Sequence, residues 1–98
     1  MTAMETEDRD ARGAQLSRLS RIEGQVRGVR RMIEEERPCG ETLAQLRSVI
    51  NALCRVQDLV LHQHLRGCVA DCFETGSPDK RERKAAEIFQ LLSRYREP

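Results

Sequence analysis

The sequence predicts an all-α protein of three helices, and three observations support that class. Apolar residues recur at intervals of three and four over most of residues 16–65, and no segment shows the two-residue alternation of a β-strand. Aromatic residues make up only 3% of the chain and Trp is absent, so Leu, Ile and Val must build the core. Pro38 and Pro78 each interrupt the helical pattern in a short break. A chain of 98 residues buries a thin core by itself, so we also expect oligomerisation.

The first helix follows a polar segment. Residues 1–13 lack periodicity, which predicts a disordered N-terminal tail ahead of a single helical domain over residues 14–98. The first helix is predicted over residues 14–36, where an apolar stripe alternates spacings of three and four: Leu19, Ile22, Val26, Val29 and Ile33. This helix is strongly cationic, because residues 18–31 contain five arginines against the single acid Glu23.

The second helix is predicted over residues 41–73, after the break at Pro38 and Gly40. A helix of about 30 residues is ~45 Å long, which is more than a first helix of about 23 residues can cover. We therefore expect its surplus apolar face to pack against another subunit. The third helix is predicted to start with Ser77 as its N-cap and Pro78 as its first residue, and to run to Tyr95.

Several functional classes are disfavoured by the sequence. The net charge of +1 excludes a global basic field, and there is no helix-turn-helix signature or zinc-finger spacing, so motifs alone leave DNA binding open. An enzyme is disfavoured because the chain lacks long loops, a Gly-rich phosphate loop and paired carboxylates, and we expect no small organic substrate. No apolar stretch approaches ~18 residues and no signal-peptide layout is present, so we expect no membrane association and a cytoplasmic location.

Two cysteines and a histidine have the chemistry of a metal site. His64 and Cys68 are four positions apart, so a helix presents them side by side. Cys39, in the break between the first two helices, can supply a third ligand from the end of a neighbouring helix. Ligands of this softness suit Cu(I) first and Zn(II) second. In a reducing compartment the cysteines serve as thiols, ligands or redox sensors, although a packing role stays open for each.

The remaining candidates are less well placed. His62 lies two positions from His64 on roughly the opposite helix face, where we expect it to be solvated. Cys54 precedes Cys68 by ~21 Å along a helix and is expected to be a core thiol. Cys72 follows Cys68 by one turn and could add a fourth ligand for zinc.

Four separated segments of the chain, in the right order and with the right spacing, resemble the CsoR/RcnR/FrmR family of small all-helical bacterial repressors. The segments are RLSRIEGQVRG (18–28), MIEEERPC (32–39), QLRSV (45–49) and VLHQHLRGC (60–68). The resemblance spans residues 15–95. It implies a three-helix protomer that pairs into an antiparallel four-helix-bundle dimer and then into a tetramer of two dimers. The effector site then lies between the two protomers of a dimer.

The copper sensors of this family carry a Cys at the start of the second helix and a His-x3-Cys pair in the partner's second helix. By motif these are Cys39, His64 and Cys68, with one Cu(I) per protomer shared across the dimer interface. The resemblance also assigns Glu87, in the third helix, as the acid that supports the metal-binding His. Pro38 stands where copper sensors often carry a Tyr.

Other branches of the family fit this chain less well. Persulfide sensors lack the middle His, formaldehyde sensors lack the last Cys, and nickel and cobalt sensors use an additional N-terminal His, whereas this chain has none before His62. The resemblance therefore implies a repressor that holds operator DNA through its cationic faces and releases it when Cu(I) binds. The expected DNA contacts are Arg18, Arg21, Arg47 and Arg55. Two alternatives stay open: a persulfide-sensing repressor that uses Cys39 and Cys68, and a non-DNA-binding helical protein with a structural Zn(II) site.

Overall fold

The computed structural model describes the backbone of residues 3–95 and the side chains of residues 9–68 and 76–95. It contains three α-helices: α1 (Ala3–Glu34), α2 (Cys39–Thr75) and α3 (Pro78–Tyr95). Over residues 3–95 there is no β-strand, so the predicted all-α class is confirmed. None of the helices in this described part is long and apolar enough to cross a membrane.

The first helix, α1, is longer than predicted. It begins at Ala3 rather than near residue 14, so residues 3–13 are helical where the sequence analysis predicts a disordered tail. The reason is local, because this segment contains no Pro and is rich in the good helix formers Ala, Met, Glu and Arg. Its acidic residues also fall in the first turns, near the positive end of the helix dipole. Missing apolar periodicity removes the signal for a packed helix, but it does not remove helix propensity.

The end of α1 is closed by a Schellman motif. Glu36 has a positive φ of 55°, the left-handed conformation that commonly ends helices and that Gly adopts most easily. The amide of Glu36 donates to the Ile33 carbonyl at 3.1 Å, and the amide of Arg37 donates to the Met32 carbonyl at 2.9 Å. These two bonds satisfy carbonyl groups that the helix itself leaves free.

The start of α2 is fixed by Pro38 and by an ion pair across the turn. α2 begins at Cys39, two residues earlier than predicted, and the Pro38 carbonyl accepts a 3.0 Å hydrogen bond from the Glu41 amide. The Arg37 guanidinium makes two contacts, of 2.9 and 3.2 Å, with the Glu41 carboxylate. The break at Pro38 is therefore only a tight turn, and Cys39 lies at the first position of the helix.

The chain divides into two compact units, residues 1–56 and residues 57–98, with the division inside α2. In the first unit, α1 and the first half of α2 form an antiparallel helical hairpin. Its core cluster has four buried members, with Leu19 and Ala52 packed against them: Ile22, Val29, Val49 and Val56. Burying each of these side chains stabilises the fold by about 1.5–3 kcal/mol, so this core is thin for helices of this length. The single domain over residues 14–98 stays a prediction.

In the second unit, the second half of α2 is followed by α3. The predicted N-cap is confirmed, since Ser77 Oγ accepts a 3.2 Å hydrogen bond from the Lys80 amide. The structure describes α3 as far as Tyr95, near which the helix was predicted to end. The side chain of Gln57 in α2 donates a 2.9 Å hydrogen bond to the Tyr95 carbonyl. A residue of α2 thereby satisfies one of the free carbonyl groups at the end of α3.

Large apolar side chains remain exposed along α1 and α2, each with 37–61% of its surface accessible: Leu16, Val26, Ile33, Leu43, Leu46, Ile50, Leu53 and Val60. The predicted mismatch in helix length is not the reason, because α1 has 32 residues against 37 in α2. The reason is that apolar residues occupy more of each helix surface than one neighbouring helix covers. An uncovered apolar stripe of this kind is typical of a subunit interface.

Candidate functional site

His64 and Cys68 lie in contact on α2. The distance from Cys68 Sγ to His64 Nε2 is 3.4 Å, so the side-by-side placement predicted from their spacing is confirmed. Cys68 is only 8% exposed, whereas His64 is exposed to solvent. The thiol side of the pair is thus largely sheltered from water, whereas the histidine is accessible to it.

The two atoms are spaced as ligands of one metal ion. With metal–sulfur and metal–imidazole bonds of about 2.3 Å and about 2.0 Å, ligand atoms 3.4 Å apart subtend roughly 100° at a shared ion. This angle is close to tetrahedral. Because the coordinating nitrogen must be unprotonated, binding through Nε2 leaves the proton on Nδ1. The pair fits a soft ion such as Cu(I) or Zn(II), and it supplies two ligands.

Cys39 is an exposed thiol at the first position of α2. Its neighbours on both sides, Arg37 and Glu41, are joined by their ion pair, which holds the turn that carries Cys39. His64 and Cys68 follow Cys39 by 25 and 29 positions in the same unbroken helix. Among the side chains that the structure describes, no group of three His, Cys, Asp or Glu residues is placed to hold a metal ion.

His64 also lines an apolar groove in the second unit, between α2 and α3. The groove has a volume of about 440 Å³, and its other walls are Gln57, Val60, Leu61, Leu91 and Tyr95. The hydrogen bond from Gln57 to the Tyr95 carbonyl joins the two helices at this groove. The helix face of α2 that carries His64 therefore also faces α3 at this groove.

Glu87, the acid expected to support His64, contacts Lys84 instead. Its carboxylate accepts a 3.4 Å contact from Lys84 Nζ, one turn away on α3. Glu87 lines a separate depression together with Gln90, Leu91 and Arg94. The structure thus does not bring Glu87 to the groove of His64, and its assigned role stays a prediction.

The other thiols and the second imidazole lie outside the pair. His62 is exposed, as predicted from its opposite helix face. Cys54 is half-buried and belongs to the first unit. Cys72 lies in the helical backbone of α2, but its side chain falls outside the described residues.

Three of the four arginines expected to contact DNA share one cleft between α1 and α2. Arg18, Arg21 and Arg55 line this arginine cleft, which has a volume of about 370 Å³. Its other lining residues are Ile22, Gln25, Ser48, Asn51 and Ala52. Arg47 is exposed one turn before Asn51 on α2 and does not line the cleft.

The neutral residues of the cleft and the groove were not predicted from the sequence. Gln25, Ser48 and Asn51 carry no charge, so a search for basic patches passes over them. A signal was nevertheless present, because the α1 set (18, 21, 25) and the α2 set (48, 51, 55) have identical spacings. Gln57 shares the helix face of His64, seven positions away, but nothing in the sequence indicates that it reaches the end of α3.

Comparisons with known proteins agree on one family. Residues 11–94 match the family described as metal-sensitive transcriptional repressor. The copper-sensing transcriptional repressor RicR of Mycobacterium tuberculosis (strain ATCC 25618 / H37Rv) is 42% identical over 77 residues, covering 79% of each chain. The copper-sensing transcriptional repressor CsoR of Bacillus subtilis (strain 168) is 35% identical over 78 residues, covering 80% of this chain and 77% of that protein. The solved structure of the nickel-responsive transcriptional regulator InrS superposes with a TM-score of 0.74 at 40% identity, covering 85% of this chain and 90% of that one.

Proposed function

Because this chain belongs to the metal-sensitive transcriptional repressors, we propose that it is a DNA-binding repressor that senses Cu(I) and releases its operator when Cu(I) binds. It acts as a regulator rather than as an enzyme, in the cytoplasm, where its operator DNA is found. The observation that carries this proposal is the 3.4 Å contact between the sulfur of Cys68 and the imidazole of His64.

The third ligand in this proposal is Cys39 of another subunit. Cys39 begins the helix that carries His64 25 positions later, a distance of about 38 Å along a straight α-helix. Residues so far apart on one helix cannot bind one ion. An antiparallel pairing of two α2 helices removes this difficulty, because it sets the first turn of one helix beside the later turns of the other. Each dimer then has two equivalent sites, and one Cu(I) binds per protomer.

The donor set favours Cu(I) over other metals. Two thiolates and one imidazole are soft ligands, and a three-ligand set satisfies Cu(I). Both copper-sensing relatives, RicR and CsoR, share more than a third of the aligned residues with this chain. These points support Cu(I) as the effector.

Nickel is the second candidate because the nickel-responsive regulator InrS is 40% identical to this chain. Ni(II) favours square-planar or higher coordination, so it needs at least one ligand beyond the three proposed. The exposed His62 points away from the pair on α2 and does not supply that ligand without a change in the helix.

The assembly in this proposal is a dimer built as an antiparallel four-helix bundle, with two dimers forming a tetramer. Its support is the stripe of exposed apolar residues on α1 and α2, which a second copy of the same hairpin would cover. Covering it also enlarges a core that has only four buried members among the described side chains of the first unit. The arginine cleft lies on a different part of the hairpin surface and stays available for DNA phosphates.

In this proposal, release of DNA requires coupling between two sets of residues on α2. This helix contributes Asn51 and Arg55 to the arginine cleft and His64 and Cys68 to the metal pair. Cu(I) shifts the protein toward a shape with low DNA affinity only if it binds that shape more tightly, typically by ~1–3 kcal/mol.

The experiment uses reduced full-length protein and a DNA duplex selected from a random-sequence library by the metal-free protein. Fluorescence anisotropy follows DNA release during anaerobic titration with Cu(I). Cys39→Ala and His64→Ala are expected to bind the duplex as the unaltered protein does and to lose release by Cu(I). His62→Ala, which removes an exposed imidazole two positions from His64, is the matched control and is expected to keep the full response.

Titrations with other effectors separate the competing functions. Release by a polysulfide that survives in His64→Ala would identify a reactive-sulfur sensor in which the two thiols carry the response. Release by Ni(II) and not by Cu(I) would replace copper with nickel. A protein that binds no duplex and loses its helicity when Zn(II) is chelated would instead have a structural zinc site.

A further inference from the structure

The arginine cleft has a regular construction. α1 lines it with residues 18, 21, 22 and 25, and α2 lines it with residues 48, 51, 52 and 55. Both helices thus present the same i, i+3, i+4, i+7 face to the cleft. The third member of each set forms the floor, since Ile22 is buried in the core cluster and Ala52 packs against that cluster. Because Ala52 is small, space remains above it.

The rim of the cleft consists of hydrogen-bond donors and contains no acid. Besides three guanidinium groups, the lining contains two side-chain amides and one hydroxyl, from Gln25, Asn51 and Ser48. Within the described part of the chain, none of the three cleft arginines makes an ion pair. Arg30 and Arg37, by contrast, are each paired with the glutamate four positions later. Three unpaired cations that share one cleft repel each other, and a bound anion would relieve this repulsion.

We propose that the cleft is an oxyanion site that takes one phosphodiester group of the DNA, and that Gln25, Ser48 and Asn51 are its positioning residues. This inference rests on the proposed DNA binding and adds to it the ligand group and three uncharged contacts. The cleft volume of about 370 Å³ is large enough to admit a phosphate group. The two non-bridging oxygens of a phosphodiester each accept several hydrogen bonds, and the two amides and the hydroxyl line the same cleft as the guanidinium groups and can donate to those oxygens as well.

Charged and neutral contacts to a phosphate have different dependences on salt. An Arg that neutralises a phosphate releases condensed counterions, so its loss makes the plot of log affinity against log salt shallower by about 0.9. A Gln or Asn donor releases no counterion. Its loss lowers affinity by a similar factor at every salt concentration. This difference distinguishes a positioning residue from a further source of positive charge.

The test measures binding of reduced, metal-free protein to the selected duplex over a series of salt concentrations. Gln25→Leu and Asn51→Leu are each expected to weaken binding by about tenfold or more with an unchanged salt slope. Arg21→Ala is expected to weaken binding and to make the slope shallower. The matched control is Gln90→Leu, the same substitution on the exposed surface of α3, and it is expected to leave both quantities unchanged.

Three results would overturn the proposal. The first is binding by Gln25→Leu and Asn51→Leu as tight as that by Gln90→Leu. The second is a slope that falls in these variants as it does in Arg21→Ala. The third is a change in the oligomeric state of Gln25→Leu or Asn51→Leu relative to the unaltered protein, measured by light scattering. Such a change would make the cleft a contact between subunits rather than a DNA site.

A second measurement separates failure of the cleft from failure of the proposed function. If the unaltered protein binds no duplex, the proposed repressor function fails, and calorimetry with inorganic tripolyphosphate then tests the cleft alone. Tripolyphosphate binding that is lost in Arg21→Ala, weakened in Gln25→Leu and kept in Gln90→Leu would support an oxyanion site with a function other than DNA binding. Equal binding by all four proteins, or none by any, would overturn it.

Discussion

Glu36 has a backbone conformation that Gly adopts more easily than any residue with a side chain. Its φ of 55° is left-handed, and for a residue with a Cβ this conformation costs roughly 1–2 kcal/mol relative to the right-handed form. The two Schellman hydrogen bonds that close α1 require this conformation at Glu36. The turn that presents Cys39 therefore includes local strain one turn before the thiol.

Replacing Glu36 with Gly should stabilise the protein by about 0.5–1 kcal/mol, because Gly adopts the left-handed conformation without steric cost while its unfolded chain has more entropy to lose. Thermal unfolding followed by circular dichroism should show a higher midpoint. Glu35→Gly is the control: Glu35 has no positive φ, so Gly there should lower the midpoint. Equal shifts in both variants would contradict this account of the turn.

The pair of His64 and Cys68 shows how far a sequence determines the arrangement of a proposed site at this scale. The contact between His64 and Cys68 follows from helix geometry alone, because residues four apart lie on one face. Their unequal exposure does not follow from spacing. It depends on which side of α2 is covered by the chain, and periodicity does not resolve this for a residue at the edge of an apolar stripe.

Among the elements, α3 depends most on its ends, because none of its residues is fully buried in the described part of the chain. Ser77 caps its first turn, and the side chain of Gln57 donates to the carbonyl of Tyr95 at its end. Such a helix forms only a small part of the cooperative core and opens more easily than α1 or α2.

Ser77→Ala should therefore destabilise α3 locally, by about 1 kcal/mol, through loss of the cap on the Lys80 amide. Hydrogen exchange should become faster in α3 amides and should change little in α1. Ser77→Asp keeps a side-chain oxygen at the cap and should exchange like the unaltered protein. Uniform acceleration across all three helices would show that the cap supports the whole fold rather than one element.

The helices differ in how well the sequence predicts them, for physical reasons. The start of α3 was predicted to the residue because Ser77 and Pro78 give a local start signal. α2 differs by two residues at each end, which is within the fraying of helix termini. The start of α1 was misplaced by eleven residues, since its first turns have helix propensity without an apolar stripe. Contacts between elements, such as that of Gln57 with Tyr95, depend on tertiary packing and leave no local pattern.

At the scale of the whole molecule, the residues proposed as ligands are separated along α2: Cys39 is its first residue, and His64 and Cys68 follow 25 and 29 positions later. In the proposed dimer, each subunit donates its thiol to one site and its imidazole–thiol pair to the other. A Cys39→Ala subunit and a His64→Ala subunit are both inactive as pure dimers. When they pair with each other, one site regains all three ligands and the other loses two.

Two inactive alleles expressed together should thus complement each other. Random pairing should restore Cu(I) binding to about a quarter of the unaltered capacity, because half of the dimers are mixed and each has one complete site. Anaerobic Cu(I) titration of the co-expressed and purified mixture measures this fraction. If all three ligands came from one subunit, the mixture would bind no more Cu(I) than either variant alone. The position of Cys39 at the start of α2 therefore turns a question about metal coordination into one that intragenic complementation can answer.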